Sequence, residues 1–117
     1  MNNKQTTIKD SVSLEGVGIH TGKDVKLTFH PAKENTGYIF RRVDLGDKPE
    51  IEALAKYVVN TQRGTTLEKD GVKLKTTEHV LAALVGLEID NILIEINAEE
   101  PPIMDGSSKF FVDALEK

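Results

Sequence analysis

"KTTEHVLAALVGLEIDNILIEIN", residues Lys75 to Asn97, sets a helix directly ahead of a strand. The helix is expected to open near Thr76 or Thr77. Val80, Leu81, Leu84 and Val85 recur at the spacing of one apolar helical face. Gly86, or the residues just after it, supplies the stop. Asn91 to Asn97 then reads as a strongly apolar strand. Glu78 and His79 do not suit an ordinary buried helix, because they put a carboxylate and an imidazole side by side on its first turn.

Upstream, the chain reads mostly as strands. Ile8 to Leu14 is β-branched and roughly alternating. "VKLTFHP" alternates cleanly, with Val25, Leu27 and Phe29 facing one way and Lys26, Thr28 and His30 the other; Pro31 ends it. "GYIFRR" is the next strand, and "IEALAKYVV" is ambiguous between strand and short helix. "TTLEKDGVKLKTT" reads as a hairpin, since Asp70-Gly71 suits a type I′ turn. Downstream lies the loop "AEEPPIMDGSS", then a last helix from about Ser107 carrying Phe110, Phe111, Ala114 and Leu115. Strands followed by helix, strand and helix indicate an α+β fold: a two-layer sandwich of a mixed, largely antiparallel sheet with two helices on one face. The pattern is still helical at Lys117, with no capping signal, so more protein is expected to follow. Phe110, Phe111, Leu115 and the strand Ile92 to Ile96 are expected to form an apolar face for that missing part, with self-association as the outlet in its absence.

The chain has 117 residues, which fits one domain. Its 15 Lys plus Arg against 19 Asp plus Glu give no electrostatic reason to expect nucleic acid or an anionic membrane. Cysteine is absent, which removes disulfides and thiolate metal sites. No run reaches the length of a membrane span, and "MNNKQTTIKDSVSL" has no apolar signal core, so a cytoplasmic location is expected.

Glu78 and His79 stand where unpaired backbone N–H groups make the helix end positive. That end favours an ionised Glu and a neutral imidazole, the form that binds metal. Neighbours on a helix point about 100° apart, so one side chain could hold a metal while the other addresses a water on it. Ala82 and Ala83 beneath them are small and would allow close approach. From spacing alone the plainer reading is stronger: an acidic residue suited to the dipole, and a His that caps. Zincin spacing is absent, since Glu precedes His and position 83 is alanine. A catalytic zinc takes three protein ligands, so any site begun here is incomplete.

"GVGIHTG" misses the dinucleotide fingerprint by one residue and leads into a strand, not a helix; its glycines read as a turn, with His20 as the side chain that could face a site. His30 reads as a solvated or edge histidine. Arg41-Arg42 and Lys73/Lys75 read as solvated strand faces. Asp105 or Ser107 reads as the N-cap of the last helix, with Gly106 allowing the turn.

Taken together, "GVGIHTG", "NTQRGTTL", "TTEHVLAAL", "GLEIDN" and "PPIMDGSS" occur in an order that resembles the zinc-dependent UDP-3-O-acyl-N-acetylglucosamine deacetylases of lipid A biosynthesis. The resemblance covers essentially this whole chain, but only the N-terminal half of the family's protein. It implies two similar domains with the active site between them, of which residues 1–117 are the first. It implies His79 as one ligand to Zn2+ and Glu78 as the general base on the zinc-bound water. The remaining ligands and a general-acid His are implied in the missing C-terminal domain. His20 is implied near the site, and Thr61, Arg63, Gly64 and Thr65 on a loop that lines it. The implied substrate is UDP-3-O-acyl-N-acetylglucosamine and the implied product acetate, with the isolated chain inactive. The competing reading is a stand-alone α+β binding or interaction domain in which Glu78 and His79 are structural.

Overall fold

Alternation along Asp24–Pro31 becomes a one-sided strand: Val25, Leu27 and Phe29 are buried, while Lys26 is exposed and His30 half-buried. The computed structural model describes residues 5–18, 20–61, 64–102 and 109–116. Arg63, Asp105, Gly106 and Ser107, which carry sequence expectations, lie outside the described residues, as do the side chains of Thr61 and Phe110. In chain order the elements are β1 (Val12–Val17), β2 (Asp24–Pro31), β3 (Tyr38–Arg42), β4 (Glu50–Glu52), a 3-10 turn (Ala55–Tyr57), β5 (Val58–Thr61), β6 (Gly64–Lys69), β7 (Val72–Leu74), α1 (Glu78–Gly86), β8 (Ile92–Ile96) and α2 (Lys109–Leu115). The ambiguous stretch "IEALAKYVV" thus divides into strand, tight turn and strand.

Five strands form a mixed sheet in the order β1-β2-β8-β3-β4, antiparallel except where β8 runs parallel to β3. Strands β5-β6-β7 make a second, antiparallel sheet. The β6–β7 turn is the expected one: Lys69 pairs with Val72, and Asp70 and Gly71 both have positive φ, 52° and 81°. The fold is α+β, and both helices pack on the inner face of the larger sheet. Val80, Ala83, Leu84, Phe111 and Leu115 share one core with Leu27, Phe29, Phe40, Ile51, Ile92, Ile94 and Ile96. Phe111 meets Phe29 edge-on, with centroids 6.5 Å apart and planes at 86°. No helix among the described residues is long and apolar enough to cross a membrane.

Several expectations are corrected. The first strand starts at Val12, not Ile8. Thr6 is instead tied to the α1–β8 loop, where its N–H donates to Asp90 and its carbonyl accepts from the N–H groups of Asp90 and Asn91. In α1 the stripe is Val80, Ala83 and Leu84, whereas Val85 is 65% exposed. Val85 lies about 100° round the helix from Leu84 and so leaves the core. Ala83 is packed into that core and offers no approach from beneath; Ala82 is exposed. Phe111, Leu115 and the inner side of β8 are buried, so they do not form a partner-facing surface. The exposed large apolar residues are elsewhere and include Val17, Leu54, Val58, Val59 and Val85.

The charged residues of the larger sheet also differ from expectation. His30 lies on an interior strand, bonded through Nε2 to Glu95 (2.6 Å) and through Nδ1 to Ser11 (2.8 Å). Arg41 continues this outer-face ladder, donating to Glu50 (2.6 and 2.9 Å) and to Glu95 (3.5 Å). Arg42 points the other way and is buried. It forks onto Asp44 (2.9 and 2.7 Å) and donates to the Lys73 carbonyl (2.9 Å), joining the two sheets. The His30 hydrogen bond lowers the Glu95 carboxyl below its ordinary value; partial burial opposes this, and Arg41 reinforces it.

Leu84→Ala should cost about 2–5 kcal/mol in urea unfolding, while Val85→Ala should stay within about 0.5 kcal/mol. The outer ladder should show acid lability. A depressed folded pKa gives stability that is complete above the unfolded glutamate value of about 4.3 and is lost as pH falls through the folded value. The stability gap between wild type and Glu95→Gln should therefore narrow as pH is lowered from about 6 towards 3, as measured by denaturant titration at each pH.

Candidate active site

Strand β6 fixes the start of α1. The Thr77 N–H and hydroxyl both reach the carbonyl of Thr65, at 3.0 and 3.2 Å. Thr77 is therefore buried as a strand contact, and its side chain makes no cap bond within the helix. Thr76 before it has φ 55°, an unusual conformation for a β-branched residue. Its hydroxyl donates to Oε2 of Glu100 at 2.6 Å. The helix is thus set by two neighbouring segments, not by a local cap.

Glu78 turns back towards β6. The Thr65 N–H donates to its Oε1 at 3.1 Å. A Cβ on Gly64 would lie 2.6 Å from Oε2 and 2.9 Å from Oε1, so the carboxylate rests directly on the glycine. Gly64 also has φ 126°, which side-chain-bearing residues rarely adopt. His79, next on the helix, is half-buried, and its imidazole has no hydrogen-bond partner among the described residues. Glu78, Gly64 and Thr65 are thus brought together. Thr61 pairs with Gly64 across the β5–β6 ladder.

His20 joins this assembly through Thr76. Its Nδ1 lies 2.7 Å from Glu100 Oε2 and 3.1 Å from Thr76 Oγ1. Backbone N–H groups of His20 and Thr21 donate to Glu100 Oε1 at 2.8 and 3.1 Å. Gly18 is required here by closeness, since a Cβ would meet Glu100 Oε1 at 2.6 Å; Gly22 supplies a left-handed turn at φ 68°. The glycine motif is a turn, as expected, and it wraps a carboxylate. His20 lines a cleft together with Val59, Thr66, Glu68, Lys73, Lys75 and Thr76. Lys75 is paired with Glu99 at 3.2 Å.

Sequence reasoning missed Glu100. It is completely buried, whereas Glu99 beside it stays half-buried in its ion pair with Lys75. Burial pushes its carboxyl up, but hydrogen bonds from Thr76, from the His20 ring and from the two backbone N–H groups outweigh this and hold it below the ordinary glutamate value. The only signal in the sequence is its place, just after an apolar strand and just before Pro101-Pro102.

Among the described residues no three His, Cys, Asp or Glu side chains are grouped to hold a metal. An imidazole with no hydrogen-bond partner among the described residues fits one position of the implied zinc, whose other ligands these residues do not group beside it.

A model of the UDP-3-O-acyl N-acetylglycosamine deacetylase family matches residues 5–117. The chain is 55% identical over 111 residues to a protein of Chlorobaculum tepidum named bifunctional enzyme LpxC/FabZ, covering 95% of this chain and 24% of that protein. It is 50% identical over 113 residues to the UDP-3-O-acyl-N-acetylglucosamine deacetylase of Wigglesworthia glossinidia brevipalpis, covering 96% of this chain and 38% of that one. The enzyme of that name from Marinobacter nauticus is also 50% identical, with 97% and 37% covered. The chain therefore spans well under half the length of these relatives.

Gly64→Ala should both strain the backbone and push the Glu78 carboxylate off the Thr65 N–H. Gly71→Ala has positive φ but open space around it, so it isolates the strain, about 1–3 kcal/mol. Both variants should lose that stability. Only Gly64→Ala should shift the Thr65 amide and Glu78 carboxyl resonances in NMR spectra.

Proposed function

The chain belongs to the UDP-3-O-acyl N-acetylglycosamine deacetylase family, and on that premise we propose that it is the N-terminal domain of a zinc-dependent amidohydrolase. The enzyme removes the N-acetyl group of UDP-3-O-acyl-N-acetylglucosamine and releases acetate, in lipid A biosynthesis. One observation carries the reading beyond the family. Glu78 is held through Oε1 by the Thr65 N–H and is laid against a glycine, while the adjacent His79 imidazole has no hydrogen-bond partner among the described residues. A purely structural pair would satisfy the imidazole, or would use the carboxylate to cap its own helix.

In this reading His79 holds zinc as a neutral imidazole. When bound, zinc would polarise the amide carbonyl and make the attacking water more acidic. Glu78 takes the proton from the attacking water at Oε2, with Oε1 anchored on Thr65. Gly64 keeps the carboxylate accessible because it adds no side chain there. A second domain supplies the other ligands, the acid that protonates the leaving amine and the opposite wall of the cleft. The greater length of the relatives supports such a domain. The isolated chain, which supplies one zinc ligand in this reading, is inactive.

The test uses the complete protein. His79→Ala should lose zinc and turnover together, as measured by elemental analysis beside kcat. Glu78→Gln should keep zinc and lose about 10²-fold or more in kcat, the usual range for a general base. Near-normal turnover of Glu78→Gln would overturn the base assignment. If both variants kept zinc and turnover and lost only about 1 kcal/mol of stability, the pair would be structural.

A further inference from the structure

Glu100 takes no direct part in the proposed chemistry, yet it is the most fully engaged carboxylate near the site. Four donors converge on it: the backbone N–H groups of His20 and Thr21 at Oε1, and Thr76 Oγ1 and His20 Nδ1 at Oε2. A carboxylate has room for about four such bonds, so Glu100 is saturated. With no exposed surface it cannot reach a ligand itself. Its influence on the cleft passes through His20 and Thr76, which both line the cleft, and of the two His20 carries the titratable ring.

The chemistry of the contact fixes the tautomer. An ionised carboxylate only accepts hydrogen bonds, so His20 Nδ1 must carry the proton that meets Oε2. In the neutral ring Nε2 is then bare. It has no partner among the described residues. A carboxylate needed only to staple the Gly18–Gly22 turn would be served by the two backbone N–H groups and would not engage the ring.

We propose that Glu100 is a positioning residue: it holds His20 in the Nδ1–H tautomer, so that Nε2 is offered as an acceptor to a hydroxyl or amide N–H of the sugar substrate in the cleft lined by Val59, Thr66 and Thr76. The identity of that substrate rests on the deacetylase reading; the tautomer does not. Carboxylates that orient a functional histidine are commonly worth about 10–100-fold in activity.

The test is the ¹⁵N imidazole spectrum of the complete protein, labelled at histidine, with the His20 signals assigned by their loss in His20→Asn. The native neutral ring should be protonated at Nδ1 and bare at Nε2. In Glu100→Gln, the carboxamide NH2 that replaces Oε2 should drive the ring to the Nε2–H form, and kcat should fall about 10–100-fold. A native ring protonated at Nε2 would overturn the proposal. So would a Glu100→Gln protein that keeps both the native tautomer and turnover within about twofold. If Glu100→Gln does not fold, the native spectrum and His20→Asn decide. His20→Asn keeps an amide donor towards Glu100 and should lose the same activity; full turnover in it would overturn the assignment. The expected tautomer and its expected switch, in a protein that fails to deacetylate UDP-3-O-acyl-N-acetylglucosamine, would support Glu100 as the orienting group and refute the function proposed above.

Discussion

Ile92, Ile94 and Ile96 are all fully buried on β8, the middle strand of the larger sheet, and the other elements are placed by reference to it. β8 pairs antiparallel with β2 and parallel with β3, so its inner side chains fall into rows shared by the strands beside it. One row runs Val12, Phe29, Ile94, Phe40 and Ile51 across all five strands. A slip of one residue would carry Glu95 into the core and Ile94 out of it. The register is therefore fixed by burial on one face and by the His30–Glu95–Arg41–Glu50 ladder on the other. Mutual pairing gives the half-buried His30, Glu95 and Arg41 polar partners, with Glu50 at the exposed end of the ladder.

The same strand delivers the site. Just beyond it, the Lys75 N–H bonds to the Glu99 carbonyl at 2.7 Å, which holds the approach to α1 beside the end of β8. Glu100 then reaches both Thr76 and the His20 turn. From the other side β6 grips Thr77 and Glu78 through the backbone of Thr65. Arg42 ties the two sheets together through the Lys73 carbonyl. The first turn of α1 is thus held from both sides by segments distant in sequence, which is the kind of support a precise site needs.

What was legible in the sequence follows from periodicity. β2, β8 and the β6–β7 hairpin alternate strongly, and α1 has clear limits, so their existence and type could be read. Glu78, Gly64 and Thr65 could be grouped only through the family resemblance, because their contact spans two elements and leaves no spacing signal. Finer choices depended on tertiary context. Val85 and Ala83 both suit a helical stripe, and packing against the sheet chose the smaller residue. Arg41 and Arg42 look alike in sequence, but alternation sends one to the outer ladder and the other inward to Asp44. Glu99 and Glu100 are likewise adjacent carboxylates with opposite fates. No propensity distinguishes them, since burial of Glu100 is tolerable only where four donors have been assembled from two segments distant from it in sequence.

The strained positions bear on which reading of Glu78 and His79 is better supported. Thr76 sits at φ 55° and Gly64 at φ 126°, and both border the Glu78 turn. Such conformations cost about 1–3 kcal/mol each for a residue with a side chain and persist only where the surroundings over-determine them. At position 64 the cost is avoided by glycine; at Thr76 it is borne, and offset by the bond to a buried carboxylate. A helix start that served stability alone would use a side-chain cap on Thr77, and this one does not. The backbone strain and the unused cap instead leave Glu78 turned onto a glycine and His79 without a hydrogen-bond partner among the described residues. Stability alone gives no reason for that arrangement, whereas a site assembled against a second wall does.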